Sequence, residues 1–444
     1  MTGRADNLDQ VLDNLRSSAP PRGEQVDAAT LERLRRLSTT LVRAHGGAVR
    51  EYRRSRTVAP RDIDLPVERI RRAVAHRGVL LSGETARMGP ALVEALRALG
   101  PTRTCLLDDA STGRGSSARI DLVDPSAVAH AVGVLRPDIV VHLVGHTGLD
   151  DRYRHRWGEH AAATTILGTR HVVEAAVAAR VGTLVLGTSE RSTSLYSDDP
   201  LIASERIAQM IVVDAASRGL LRAAIARSGL VVDPVAATRW LRRASCDDTV
   251  LPLPPPEKSV HVQARRDSVR LLLAAIHGAS TSSAGLHAVR SLDDPVRPLD
   301  LVVGLMADEN LAVVPLAIDP APVDGCRSVG DRIGPAGSSA LLNALEVSLV
   351  VPSAAPGVDL VPVRFRLPAA AARLVDHLGH LAARDAGEIP DVIDQLARIV
   401  LEGTLAQASA ATLRQVARMS QRDGPAMSGT DRMVDDRVRW WAGR

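Results

Sequence analysis

Between residues 61 and 318, short apolar runs alternate with amphipathic stretches, and few architectures accommodate that rhythm. The runs at 79–82, 104–107, 139–143, 184–186 and 224–226 are too short for helices, and they read as strands covered on both faces. The stretches at 89–99, 126–135, 161–179 and 201–217 repeat apolar side chains at helical spacing. The pattern predicts an α/β fold with a doubly wound parallel sheet and helices on both faces. Aromatic residues make up only 2% of the chain, with a single Phe, so Leu, Val, Ile and Ala must fill the core.

The first strand runs into a loop of special composition, LLSGETARMG at 80–89. A Rossmann-like turn of this kind needs a glycine for the tight bend, a small residue where backbone meets pyrophosphate, and a glycine where helix packs on strand. Gly83, Ala86 and Gly89 stand at those places, and the pyrophosphate would lie at the helix N-terminus. Glu84 is ill-suited to a phosphate neighbour, and Arg87 offsets it. Asp108 closes the second strand where a carboxylate can bond a ribose hydroxyl, and Asp121 is placed for an adenine contact. NAD or NADP is therefore the expected cofactor; the other reading is a loop that preserves the fold alone.

Outside this unit, residues 1–60 form a charged, helical N-terminal extension, read as packing or dimerising helices. Residues 319–444 begin with a Gly, Pro and Ser-rich loop. A strand is expected at 347–351, then helices at 369–383, 391–402 and 405–419, and a tail from Ser420 that orders only if its Trp pair docks. The 55 basic and 51 acidic residues leave a net charge of +4, which gives no pull toward nucleic acid. No run approaches the ~18 apolar residues of a membrane span, and no apolar signal core opens the chain. Cys105, Cys246 and Cys326 have no ligand spacing, which fits a cytoplasmic setting. His142 and His146 are four apart but flank a strand end, so a structural role is expected and no metal site is proposed. The basic cluster at 152–156 reads as a solvated loop, with an anionic ligand as the other reading.

The order of segments resembles the extended short-chain dehydrogenase/reductases (SDR). In particular it is similar to the bacterial nucleotide-sugar 4,6-dehydratases of polysaccharide biosynthesis, whose type member acts on UDP-N-acetylglucosamine. The likeness begins at Asp62-Ile63-Asp64 and runs through LRPDIVVHLVGH (135–146), ILGTRHVVEAA (166–176), VGTLVLGTSER (181–191) and ASERIAQM (203–210). ARSGLVVDP (226–234) and SVHVQARRDSVRLLL (259–273) extend it to about 250 residues. The resemblance implies hydride exchange between sugar and NAD(P), an acid, a base, and a lysine that steadies the nicotinamide ribose.

The residues at those positions depart from the family. Its Thr-Asp-Lys triplet falls on Ser189-Glu190-Arg191, and its helical Tyr/Met and Lys, one turn apart, fall on Leu201 and Glu205. Arginine cannot serve as a base, because its pKa stays above ~12. Glu205 puts an anion where the family has an ammonium. Thr165 and Leu230 replace family asparagines, and the sugar-diphosphate arginine falls near Val260. The family's Gly-Leu-Arg-Pro-Gly-Glu-Lys segment is reduced to 332–337, and Lys258 is the only lysine in the chain. The expectation is a degenerate dehydratase-like pseudoenzyme, a non-catalytic or divergent partner in polysaccharide or secondary-metabolite biosynthesis. It would form a homo-oligomer, or a hetero-oligomer with an active relative, and keep a possible nucleotide-sugar ligand. The alternative is an active NAD(P)-dependent 4,6-dehydratase or epimerase using Glu190 with Glu205 or Tyr196.

Overall fold

The computed structural model describes residues 2–444 apart from 21–25, 46, 57–62, 84, 110–117, 145–157, 233, 248, 254–255, 257–258, 291, 293–294, 312, 319–338, 385–386 and 421–428. Helices α1 (Thr2–Ser17), α2 (Ala28–Ala44), α3 (Ala48–Arg56) and α4 (Val67–Val74) lead into β1 (Gly78–Gly83), α5 (Thr85–Arg97), β2 (Arg103–Asp109) and β3 (Ala118–Ile120). Then come α6 (Pro125–Leu135), β4 (Ile139–Leu143), α7 (Gly158–Ala178), β5 (Thr183–Ser189), a 3-10 turn (Glu190–Thr193), α8 (Pro200–Ser217) and β6 (Arg222–Ser228). The chain continues through α9 (Pro234–Cys246), β7 (Leu251–Leu253), α10 (Arg265–Gly278), β8 (Ala284–Val289), α11 (Pro298–Asp308) and β9 (Leu316–Ile318). It ends with α12 (Ala344–Val347), β10 (Val358–Val363), α13 (Ala369–Ala382), α14 (Ile389–Gln407), α15 (Ala410–Ser420) and α16 (Gly429–Ala442).

Among the described residues, eight strands form one sheet in the order β10-β8-β6-β5-β4-β1-β2-β3. Every pairing is parallel except β10 with β8. Strands β1, β4, β5 and β8 are buried along their whole length, as expected of a parallel sheet covered on both faces. Aspartate–proline pairs start two of the covering helices: Asp124 accepts the amide protons of Ser126 and Ala127, and Asp199 those of Leu201 and Ile202. Strand order reverses between β1 and β4, so the carboxyl ends of those strands, Gly83 and Leu143, flank the crevice where such sheets take ligands.

The N-terminal helices spend their apolar face inside the chain. A Cβ on Gly304 of α11 would lie 2.3 Å from the Ala48 carbonyl oxygen and 2.5 Å from Tyr52 Cβ, so α3 and α11 touch backbone to side chain. The buried Ser38 hydroxyl donates to Leu34 O and accepts from Leu316 N, stitching α2 to β9. His45 Nε2 meets Asp300 Oδ1 at 2.5 Å, and Arg53 grips Asp308 at 2.6 Å.

Two expectations for the C-terminal region are corrected. Residues 347–351 are not a strand. Asn343 and Glu346 form a reciprocal capping box that winds α12, Val351 makes a single bridge to Leu360, and the strand lies at Val358–Val363. The helix expected over 405–419 breaks after Gln407 and restarts where Ser409 Oγ accepts Thr412 N at 3.0 Å. The tail does dock: Trp441 Nε1 donates to Glu402 Oε2 at 3.1 Å. No helix among the described residues is long and apolar enough to cross a membrane.

Candidate functional site

The turn after β1 uses both glycines for stated physical reasons. Gly83 has φ +92°, and a Cβ there would sit 2.1 Å from the Leu143 carbonyl oxygen of β4. Gly89 lets α5 lie close on β2, since a Cβ would come within 3.1 Å of Leu106 Cδ2. Ala86 and Arg87 fall in the first turn of α5, and Glu84 lies outside the described residues. Gly83 and the N-terminus of α5 therefore lie at the switch point of the sheet.

The carboxylates are used differently from the sequence expectation. Asp108 is buried beside Gly83, and its Oδ1 accepts from Thr85 N at 3.0 Å and Thr85 Oγ1 at 3.1 Å. It caps α5 and takes up one of the amide donors that a bound phosphate would otherwise meet. Asp121 is exposed and closes a local turn by accepting Val123 N at 2.9 Å. The carboxylate expected at a dinucleotide's ribose is thus already engaged with Thr85.

At the carboxyl end of β5, Glu205 is the central group. It lies on α8, fully buried, and its Oε2 accepts from Thr188 Oγ1 at 3.0 Å, Ser189 N at 3.0 Å and Ser189 Oγ at 2.7 Å. Its Oε1 faces the buried Arg191 guanidinium at 3.8 Å. Glu190 turns elsewhere and accepts the His261 amide at 3.1 Å. The two glutamates are therefore bonded to different elements and do not form an acid–base pair. Leu201 packs partly buried on the core, and Leu230 is fully buried in a bridge to Val262.

Tyr196 is held by the C-terminal helices. Its hydroxyl donates to Asp394 Oδ1 and accepts from Arg398 Nη2 at 2.9 Å, with that guanidinium also over the ring. Burial first, then the bond to Asp394 and its charge, push the phenol well above its usual range, so it is no base at neutral pH. Tyr196→Phe is expected to cost about 1–2 kcal/mol, read as a lower urea midpoint, because it strips an anchor of α14.

His142 is structural: Nδ1 meets Ser82 Oγ at 3.0 Å and Nε2 meets Thr169 Oγ1 at 3.3 Å. His146, the basic cluster at 152–156 and Lys258 lie outside the described residues. Among the described residues, no group of three or more His, Cys, Asp or Glu converges as a metal site.

One cluster had no counterpart in the sequence reading. Arg227, at the end of β6, is fully buried, and each of its guanidinium nitrogens donates. Nε goes to Ser192 Oγ, Nη1 to Leu341 O and Glu346 Oε2, and Nη2 to Ser192 O, Gln209 Oε1 and Glu346 Oε1. Arg206 of α8 shares Glu346 at 3.0 Å. Burial raises the Glu346 carboxyl, but Arg227, then Arg206 and the Asn343 amide, outweigh it and hold it below the usual carboxylate range. Asn343 Nδ2 also donates to Thr193 O at 3.2 Å, so α12 is clamped onto the 3-10 turn beside Glu205.

Residues 79–212 match the NAD dependent epimerase/dehydratase family. The matched segment runs from β1 into α8 and holds Gly83, Gly89, Asp108, the 189–191 triplet and Glu205; Arg227 and Glu346 lie beyond it. A 3-diazoavenalumate denitrifying reductase from a Streptomyces species is 39% identical over 110 residues, 24% of this chain and 36% of that protein. Among solved structures, UDP-glucose 4-epimerase of Thermus thermophilus with NAD is 17% identical over 56% of this chain and 89% of that one, with a TM-score of 0.41. A dTDP-glucose 4,6-dehydratase of Streptomyces venezuelae with NAD bound is 17% identical over 55% and 86%, with a TM-score of 0.43. Pen from Bacillus thuringiensis is 14% identical over 65% and 88%, with a TM-score of 0.47.

Proposed function

We propose that this chain is an epimerase/dehydratase relative that keeps a seat for NAD(P) and has given up the usual hydride and proton-transfer set. It works as a non-catalytic or strongly divergent partner in polysaccharide or secondary-metabolite biosynthesis, beside an active relative or as a homo-oligomer, with a nucleotide sugar as its possible ligand. The observation that carries this reading is Glu205. The position that resembles the family's lysine holds a buried carboxylate, saturated on one oxygen by Thr188 and Ser189 and faced on the other by Arg191. A cation there would hold the ribose and lower a neighbouring pKa; an anion does the reverse. The turn at Gly83 and the N-terminus of α5 support the retained seat. When bound, the cofactor would supply hydride exchange; Glu190 and Tyr196, the candidate proton carriers, are bonded to the His261 amide and to Asp394.

The test is calorimetric titration of the purified protein with NAD and NADP, then incubation with UDP-N-acetylglucosamine and dinucleotide. Saturable dinucleotide binding without a C4-keto sugar is the expected result. A keto sugar made by this chain alone overturns the proposal.

A second reading rests on the Streptomyces relative, named a reductase and 39% identical over its matched stretch. Reduction of a diazo-bearing substrate needs hydride delivery but no dehydratase acid–base pair. Substrate-dependent loss of NAD(P)H absorbance with a diazo carboxylate, and none with UDP-sugars, would favour it.

A further inference from the structure

We infer that His287 makes the β8–β10 edge of the sheet acid-labile, with protonation of this one imidazole as the trigger. His287 is 2% exposed, and among the described residues neither of its ring nitrogens has a hydrogen-bond partner. Its register neighbours are Ala226 of β6 and Leu360 of β10, which offer no polar side chain. The helix covering this face ends on the ring: a Cβ on Gly278 of α10 would lie 2.5 Å from both Cε1 and Nε2. A Cβ on Gly285 would lie 3.3 Å from Nε2 and 3.1 Å from Leu360 Cδ1. The imidazole is thus packed among α10, β6 and β10 with its polar atoms against carbon. β10 is the last strand of the sheet and pairs there with β8 alone, so it is the element that gives way when the ring is disturbed.

A neutral imidazole can stay in such a place; an imidazolium brings two donors and a charge that need partners. Among the described residues of the elements packed against it, no anion faces it. On α10, His277 is next to Gly278, while Arg265, Arg266, Asp267 and Arg270 lie two turns or more away. On β6, Arg222 donates to Ala279 O, and Arg227 pairs in register with Ala288 on the opposite face, where it holds Glu346. Asp359 of β10 also pairs with Ala288, so it shares that opposite face and accepts there from Arg290 and Ser339. Arg69 and Arg72 of α4 add positive charge around His277. Burial first, then the His277 charge, push the His287 imidazole down to about 4. The unfolded chain takes up this proton near the ordinary value of about 6.5. Stability is therefore untouched above that value, falls as pH drops below it, and stops falling below about 4. Most of the loss comes before the carboxylates protonate.

Urea denaturation of the wild type and His287→Leu at pH 7 and pH 5 tests the trigger. The unfolding constant of the wild type, divided by that of the variant, is expected to rise on the order of 20-fold between the two pH values. His287→Gln keeps a polar side chain without a titrating group; it should give the same ratio, and it decides alone should His287→Leu fail to fold. His277→Gln should keep most of the wild-type response. Amide exchange, corrected for the intrinsic effect of pH, should show β8 and β10 losing protection at pH 5 before β1 and β4. A ratio that stays level within about twofold, a response abolished by His277→Gln, or protection lost first outside β8 and β10 overturns the proposal.

Discussion

Glu346→Gln is expected to destabilise the protein by about 3–5 kcal/mol, because it removes the one carboxylate between two buried guanidinium groups. The amide oxygen can keep the donors of one position, yet in either orientation the NH2 would point at an Arg227 Nη donor. The cap suffers as well, since Glu346 Oε2 accepts the Asn343 amide at 3.0 Å. A fall in melting temperature on the order of 10 °C follows. The control is Arg206→Met, which leaves Arg227 with both Glu346 oxygens and removes the guanidinium whose Nε has no partner among the described residues; it should change stability by less than about 1 kcal/mol. The double variant should be less damaged than Glu346→Gln alone, since one of the two stranded charges is gone. Equal losses for Glu346→Gln and Arg206→Met would sink this account.

The same network sets an acid limit. The folded carboxyl of Glu346 lies below its unfolded value, so its contribution is complete above the unfolded pKa and is lost as pH falls through the folded one. The gap between wild type and Glu346→Gln should therefore hold at neutral pH and shrink on acidification below about 4.3, the ordinary glutamate range. Chemical denaturation of both proteins across that window reads it directly.

How far this was visible in the chain depended on the reach of each interaction. Gly83 and Gly89 are legible because their constraints are local: a left-handed turn and a helix that must lie flat on the next strand. The strand at Ile139–Leu143 is legible to the residue, since burial on both faces leaves a run that is apolar except for His142. Asp108 shows how far local reasoning goes. Its place at the end of β2 follows from spacing, but its rotation toward Thr85 depends on an amide 23 residues earlier. The Arg227–Glu346 pair is 119 residues apart and joins a strand to a segment whose valines imitate another strand. Asn343 and Glu346 did carry a local cue, the capping-box spacing, and the β-branched residues after it masked that cue.

Placing a cation at position 205, where the dehydratase resemblance puts a lysine, should fail for the reason the carboxylate is tolerated. In Glu205→Lys an ammonium would meet the Ser189 amide proton and the Ser189 and Thr188 hydroxyls, all now donating to Oε2, with Arg191 Nη1 3.8 Å from Oε1. The hydroxyls can turn and accept; the amide cannot. Two unit charges about 4 Å apart interact by about 4 kcal/mol at an effective dielectric of about 20, and the substitution changes the sign of that interaction in a buried site. A loss of roughly 3–5 kcal/mol follows, with aggregation and no gain of turnover. Glu205→Lys combined with Arg191→Gln removes the repulsion and should recover most of the soluble yield. It should still form no keto sugar, because Glu190 is committed to the His261 amide and Tyr196 to Asp394. Were the single Glu205→Lys variant as stable as the wild type and able to turn over a UDP-sugar, the buried Glu205–Arg191 pair would not be what sets this site apart from an active dehydratase.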